Sequence, residues 1–165
     1  MNRYLTLLRH SYAMDGLSGI KDFDRELTDK GFTAAIRMGK RLKEESKNFD
    51  AIYSSTAKRA VQTTELIAEQ LIYDKEQVVH DEELYNLSLG GLLKFVQSIP
   101  DEKKEVLVIG HNPTFSYFVE MVANQTGFMM QPCAAVTLMF ESTSWMLVDS
   151  ATAEIFWQST PVDGQ

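Results

Sequence analysis

The run EVLVIG at residues 105 to 110 has nothing polar between its opening glutamate and its closing glycine. A strand made from it has no face that water can wet, so both faces must be covered. That is the situation of a central parallel strand between helices, and it confines the chain to an α/β architecture. The remaining sequence supplies neighbours and covers. YLTLL (4 to 8), AIYSS (51 to 55) and QVVHDEEL (77 to 84) read as further strands. Thr28 is a good N-cap with Asp29 in the first turn, and Phe32, Ala35, Ile36, Gly39 and Leu42 then recur at helical spacing. Ala57, Ala60, Val61, Thr64, Ile67, Ala68 and Leu71 form the apolar stripe of a second amphipathic helix.

A third helix is expected over 89 to 99, ending before Pro100. Asn112 and Pro113 read as a cap and a first-turn proline, opening a fourth helix through Phe115, Phe118, Val119 and Val122. In the last third, AVTLMF, SWMLV and AEIFWQ look like three strands of an antiparallel meander. The expectation is a three-layer α/β/α sandwich with a mostly parallel central sheet and antiparallel C-terminal strands. Residues 1 to 165 form one domain, with no repeat, linker or low-complexity segment. A chain of 165 residues with 44% hydrophobic and 24% charged content can bury a proper core and is not disordered.

In open α/β sheets, ligands bind beyond the carboxyl ends of the strands. The residues that follow each expected strand are therefore informative. Strand one ends in Arg9 and His10, two groups that a closed core penalises by several kcal/mol when unpaired. Strand two ends in Ser54 and Ser55, with Arg59 one helical turn later. EVLVIG ends in His111 and Asn112. Two of the three histidines thus fall at one sheet edge, beside two arginines.

The chemistry that uses such a group is phosphoryl transfer through a covalent intermediate. A neutral imidazole attacks phosphorus, while guanidiniums take the equatorial oxygens bidentately. Positive neighbours hold the imidazole unprotonated near neutral pH. The net charge of −7 excludes nucleic acid as a partner but not a small anion. Charges beyond roughly 8 Å are screened at physiological salt, so the sign of the pocket matters more than that of the whole chain.

At this point the sequence resembles a known family, the histidine phosphatase superfamily with its phosphoglycerate mutase-like fold. LLRHS matches its strand-one signature, SSTAKRAVQTTELIAE its second motif and VIGHNPT its third. The short chain, the stretch DRELTDKGFTAA and the lack of a long inserted cap are similar to the SixA-type phosphohistidine phosphatases. The resemblance runs from about residue 4 to residue 122. It implies His10 as the nucleophile, Arg9 and Arg59 as phosphate holders, His111 as a hydrogen-bond donor to the phosphate and Arg25 as a further substrate-binding residue. It also implies a phosphorylated protein carrying phosphohistidine as the substrate, and no cofactor.

Two residues depart from the family pattern. Ser11 replaces the usual glycine, a change found in small members that leaves the reading intact. Larger members carry a glutamate general acid after the third strand; here that region is HDEELYNLSLGG, with Glu83 as the candidate acid and Glu82 beside it. Neither falls cleanly in the expected place. An alkoxide leaving group needs a proton in the transition state, whereas an imidazole can already carry one on its other nitrogen. A missing acid therefore tilts the substrate towards phosphohistidine.

Competing readings of single residues are simpler. Arg25 can pair with Asp22 or Asp24 as a solvated loop arginine, and His80 reads as a surface histidine in an acidic stretch. Ser54 and Ser55 lack a nucleophile elbow and are expected to cap the following helix. Met129 and Met130 are packing residues or part of the pocket rim, and Trp145 and Trp157 are packing residues. There is no H-E-x-x-H and no paired-cysteine spacing, so no metal is expected. No apolar run approaches the ~20 residues of a membrane span, and the apolar stretch in MNRYLTLLRH is too short for a signal peptide. With Cys133 as its one cysteine, the chain is expected in the cytoplasm, as a monomer. Two rivals remain at this stage: a phosphomonoesterase or mutase-like enzyme on small phosphorylated metabolites, and a non-catalytic phosphate-binding module.

Overall fold

The computed structural model describes residues 1–16, 19–45 and 47–162. Six strands and four α-helices alternate along them: β1 (Asn2–Arg9), α1 (Asp29–Glu44), β2 (Ala51–Ser55), α2 (Lys58–Leu71), β3 (Val79–Asp81), α3 (Leu89–Gln97), β4 (Glu105–Gly110), α4 (Thr114–Ala123), β5 (Ala135–Glu141) and β6 (Ala153–Ser159). They form one sheet in the order β3-β2-β4-β1-β5-β6. The pairings β2–β3, β2–β4 and β1–β4 are parallel, and β1–β5 and β5–β6 are antiparallel. The expected sandwich is present.

The composition of EVLVIG follows from its place. Val106 and Val108 pack into a core with α3 and α4, through Leu92, Val96, Phe115, Phe118 and Val122. Leu107 and Ile109 point the other way, into a core with α1 and α2, through Ala35, Met38, Leu42 and Ile67. All four β4 side chains are 0% exposed. Burial of each such aliphatic side chain contributes about 1.5–3 kcal/mol, and a polar residue at any of these positions would face a packed layer. β1 divides likewise, with Leu5 and Leu7 in one core and Leu8 in the other.

Several local expectations are corrected. SWMLV is not a strand: Trp145–Leu147 is a 3-10 turn. Trp145 buries its whole ring there, donating from its backbone N–H to Asp101 Oδ1 (2.9 Å) and from Nε1 to the Lys103 carbonyl (2.6 Å). An anchor tied to a neighbouring loop overrode the β propensity of the run. The strand expected at 77 to 84 keeps only Val79–Asp81, because the Asp81 side chain accepts from Glu83 N–H (2.9 Å) and starts a 3-10 turn. The third helix stops at Gln97. The buried face of α1 is Gly31, Ala34, Ala35, Met38, Gly39 and Leu42, leaving Phe32 exposed. Helix α4 starts at Thr114, with Asn112 Oδ1 accepting from the N–H (3.3 Å) and hydroxyl (3.0 Å) of Ser116.

Thr28 does cap α1, accepting from Gly31 N–H at 3.1 Å. Gly31 itself presses on the segment after β1, where a Cβ would lie 2.1 Å from the Tyr12 carbonyl oxygen. That oxygen also accepts from Thr28 N–H (3.0 Å), so the backbone has little freedom to retreat. Gly31→Ala is expected to destabilise the fold by about 1–3 kcal/mol, the usual cost of overpacking, read as a lowered midpoint in urea unfolding.

Candidate active site

The parallel pairing of β1, β4 and β2 brings their carboxyl ends together, with Arg9 in register with Gly110. A cavity of ≈ 480 Å³ opens at this edge, and its wall includes Arg9, His10, Arg25, Arg59 and His111. The structure therefore gathers the residues singled out from three separate stretches of sequence. The His10 and His111 rings lie 5.1 Å apart, centroid to centroid.

His10 is fixed from both directions. Its backbone N–H donates to the Gly110 carbonyl (2.9 Å), and its Nδ1 is 2.8 Å from the Ser11 carbonyl. A carbonyl only accepts, so Nδ1 carries the proton and Nε2 keeps its lone pair. Arg59 Nε donates to that Nε2 at 3.2 Å, marking the direction of the lone pair. Ser11 explains its own presence here. It is fully buried, its hydroxyl donates to the Gly31 carbonyl (2.8 Å) and its N–H donates to Thr63 Oγ1 (3.0 Å), which holds the carbonyl that orients His10. Cys133, with φ 63°, braces the same turn by donating its N–H to the Arg9 and His10 carbonyls, both at 3.1 Å.

Arg9 is aimed by Nη1 donating to the Met130 carbonyl (2.9 Å), which Asn112 Nδ2 shares at 2.9 Å. Burial lowers the Arg9 pKa from its ordinary value, although a guanidinium stays charged. Arg59, 5% exposed in the first turn of α2, donates from Nη1 to the Asp22 carbonyl (2.7 Å) and from Nη2 to Asp22 Oδ2 (3.1 Å). Its Nη2 also lies 3.5 Å from His111 Nδ1, and His111 Nε2 is 2.7 Å from Ser55 Oγ. A guanidinium only donates, so the Arg59 contact suits Nδ1 as acceptor, with Nε2–H donating to Ser55. The Ser55 hydroxyl can also donate, which supports the other tautomer, with Nδ1–H, once Arg59 Nη2 turns to an anion.

Other expectations are placed differently. Neither serine caps α2, whose N-cap is Ala57 without a side-chain bond. Ser55 Oγ accepts from Ala57 N–H (3.2 Å) ahead of the helix, and the Ser54 hydroxyl donates to the Ser55 carbonyl (2.9 Å) and accepts from Thr64 (2.8 Å). Arg25 combines both of its readings, lining the cavity while its Nε and Nη2 each lie 3.0 Å from Asp22 Oδ1. Glu83 and Glu82 are corrected. Both are exposed and neither lines the cavity, because the 3-10 turn at Glu82–Leu84 brings Tyr85 and Asn86 to the wall instead. His80 is exposed on β3 and away from the wall. Met129 and Met130 line a second cavity of ≈ 280 Å³ rather than this one.

Asp22 and Tyr85 escaped the sequence reading as parts of the site. Asp22 appeared only as a salt-bridge partner of Arg25, three residues away in an aperiodic loop. Yet it is the one carboxylate on the described wall, which also carries three guanidiniums, and it pairs with two of them, Arg25 and Arg59. A hydrogen bond from the Tyr85 hydroxyl (2.5 Å), then the pull of Arg59 and Arg25, holds its pKa down at about 2. With more positive than negative charge on its wall, the cavity suits a dianion. Among the described residues, no group of three or more His, Cys, Asp or Glu is arranged to hold a metal ion.

Both rings at the site are neutral. Burial pushes the His10 pKa down to about 3, with His111, Arg59 and Arg9 adding to the effect against the Ser11 carbonyl. Burial and then Arg59 push His111 down to about 4, against Asp22. An unfolded histidine takes a proton near pH 6.5, so the stability these rings confer is whole above that pH and drains as pH falls towards their folded values. Urea unfolding between about pH 7 and about pH 5 is expected to lose up to ~1.4 kcal/mol per pH unit for each ring, and His10→Phe should flatten the slope.

Comparison with known proteins agrees with the geometry. Residues 5–117 match the model of the histidine phosphatase superfamily, branch 1. The SixA protein of Nakamurella multipartitia superposes with a TM-score of 0.82 at 26% identity, covering 98% of each chain. A protein histidine phosphatase SixA complexed with tungstate superposes at 0.80 with 25% identity, covering 96% of this chain and 97% of its own. The mitochondrial serine/threonine-protein phosphatase Pgam5 of Drosophila yakuba is 28% identical over 98% of this chain, which spans 60% of that relative's length.

Proposed function

Because the chain belongs to the histidine phosphatase superfamily, we propose that it hydrolyses phosphohistidine on a protein, carrying the phosphoryl group transiently on His10 Nε2. The observation that bears most weight is the His10 lone pair, held towards Arg59 Nε at 3.2 Å in a cavity that His111 shares. In the first step Nε2 attacks phosphorus while the bond to the substrate nitrogen breaks and its electron pair returns to the substrate ring. Water then attacks phosphorus, the P–Nε2 bond breaks, and inorganic phosphate leaves with the proton shed by the water. Arg9 and Arg59 hold the equatorial oxygens throughout, and His111 donates to one of them. Fixed donors of this kind supply most of the catalysis when the phosphoryl group is loose in the transition state.

The choice of phosphohistidine rests on the wall chemistry. Asp22, the one carboxylate on the described wall, has a pKa of about 2 and cannot serve an alkoxide as an acid near neutral pH. The solved SixA relatives support the same substrate. A second reading, a phosphomonoesterase, is favoured by the similarity to Pgam5. As proposed, the guanidiniums supply the charge that a metal would, so a chelator leaves turnover intact. The cytoplasm suits a chain whose one cysteine, Cys133, can form no internal disulfide.

Quenching the enzyme with labelled phosphohistidine peptide is expected to trap label that is acid-labile and base-stable, the mark of a phosphoramidate. His10→Ala should abolish that label and lower kcat by at least ~10³-fold while keeping phosphate affinity within about tenfold. Arg59→Ala should cost about 10²–10³ in kcat/KM, since it removes a donor to the transferring group. Label persisting in His10→Ala would exclude His10 as the carrier. Sugar phosphates turned over far faster than the peptide would instead overturn the substrate.

A further inference from the structure

Phosphoryl transfer at His10 leaves one part of the cavity without a role, the rim built from Asp22 and Tyr85, with Phe23 packed on the Tyr85 ring just outside the wall. Asp22 opens the 3-10 turn Asp22–Asp24, and its side chain is 55% exposed at the cavity mouth. Its Oδ1 receives Arg25, and its Oδ2 receives both Arg59 Nη2 (3.1 Å) and the Tyr85 hydroxyl (2.5 Å). The Tyr85 ring stands edge-on to Phe23, 5.1 Å away at 86°, and 5.6 Å from the ring of His111. Phe23 is 40% exposed. The rim is one anionic group beside two accessible aromatic rings.

We propose that Asp22, Tyr85 and Phe23 form the leaving-group subsite and select an imidazole that brings its own proton. This deepens, and rests on, the reading of the site as a phosphohistidine phosphatase. A phosphohistidine protonated on its far nitrogen is a flat cation with one N–H to give. A carboxylate accepts that N–H strongly, and aromatic faces attract cations.

His10 is held by the same device. Its Nδ1–H donates to the Ser11 carbonyl (2.8 Å), which keeps the ring a neutral leaving group when phospho-His10 is hydrolysed. Asp22 does for the substrate ring what the Ser11 carbonyl does for His10. The transfer then balances with no proton moved. The P–N bond of the substrate breaks with its electron pair going to the ring nitrogen, and the ring departs neutral, its far N–H retained. The Nε2 lone pair forms the new P–N bond, and His10 becomes the phosphorylated cation.

The same rim works against alkoxide leaving groups. Asp22, ionised at neutral pH, puts negative charge where an alkoxide would need a proton. Arg59 couples the two halves of the cavity. A phosphoryl oxygen that recruits Nη2 releases a lone pair on Asp22 Oδ2, so binding of the anion frees an acceptor for the ring.

Asp22→Asn tests this, since the amide keeps the shape and still accepts from Tyr85. The ratio of kcat/KM for a phosphohistidine peptide to that for p-nitrophenyl phosphate, whose leaving group needs no proton, is expected to fall about 10- to 100-fold. In single turnovers with the peptide, formation of phospho-His10 should slow far more than its breakdown, because only formation involves the leaving ring. Tyr85→Leu should lower the same ratio. Equal losses on both substrates and in both steps would reduce Asp22 to a support for Arg59, overturning the subsite and leaving the phosphatase intact. A ratio that stays level or rises would overturn it too. Wild-type protein that forms no phospho-His10 from either donor would bring down the underlying reading and the subsite with it.

Discussion

The parallel pairing of β1 with β4 is the constraint on which the rest depends. Its register sets Arg9 against Gly110, and the last bond of the seam, from His10 N–H to the Gly110 carbonyl (2.9 Å), sets the two chains leaving the sheet side by side. His10 and His111 are about a hundred residues apart in the chain, yet their rings are placed by adjacent backbone segments that cannot slip. A shift of one residue would turn every β1 side chain to the opposite face and move Leu5, Leu7 and Leu8 out of their cores. The hydrophobic layers thus enforce the catalytic spacing.

Burial at this edge has a chemical use beyond packing. A desolvated imidazole resists protonation, and the arginines around it oppose a further positive charge. His10 is therefore kept neutral by the same guanidiniums that make the cavity suited to a dianion. The one carboxylate among the described wall residues, Asp22, lies at the mouth, where it steadies Arg25 and Arg59 and makes no contact with His10 Nε2. At the mouth that carboxylate is paired with Arg25 and Arg59, so the net positive charge of the wall is left to the Arg9 side of the cavity.

Much of this was legible in the sequence, for identifiable reasons. EVLVIG has to be a central strand because neither face tolerates water, and residues that end such strands have to share an edge. That logic locates Arg9, His10, Arg59 and His111 without coordinates. It fails where side chains compete with periodicity. The β-prone run SWMLV folds as a 3-10 turn because Trp145 finds a buried slot and two acceptors in a neighbouring loop. Glu83 was sought as an acid by its type, but the cap formed by Asp81 rotates it outwards and brings Tyr85 to the wall. Asp22 belongs to a loop with no repeating pattern, and its importance lies in side-chain donors from Arg25, Arg59 and Tyr85, the last two distant in sequence.

The division of β4 between two separate cores has an evolutionary corollary. Val106 and Val108 answer to α3 and α4, while Leu107 and Ile109 answer to α1 and α2. A replacement in one layer is felt first by one pair of helices, while the strand seam that spaces the two imidazoles is bonded through main chain and kept in register by both layers together. The two outer layers are therefore not equally free. Helix α2 carries Arg59 on the cavity wall and α1 holds Ser11 through the Gly31 carbonyl, whereas α3 and α4 put no described side chain on that wall, so drift, lengthening or ornament is tolerated best on their side.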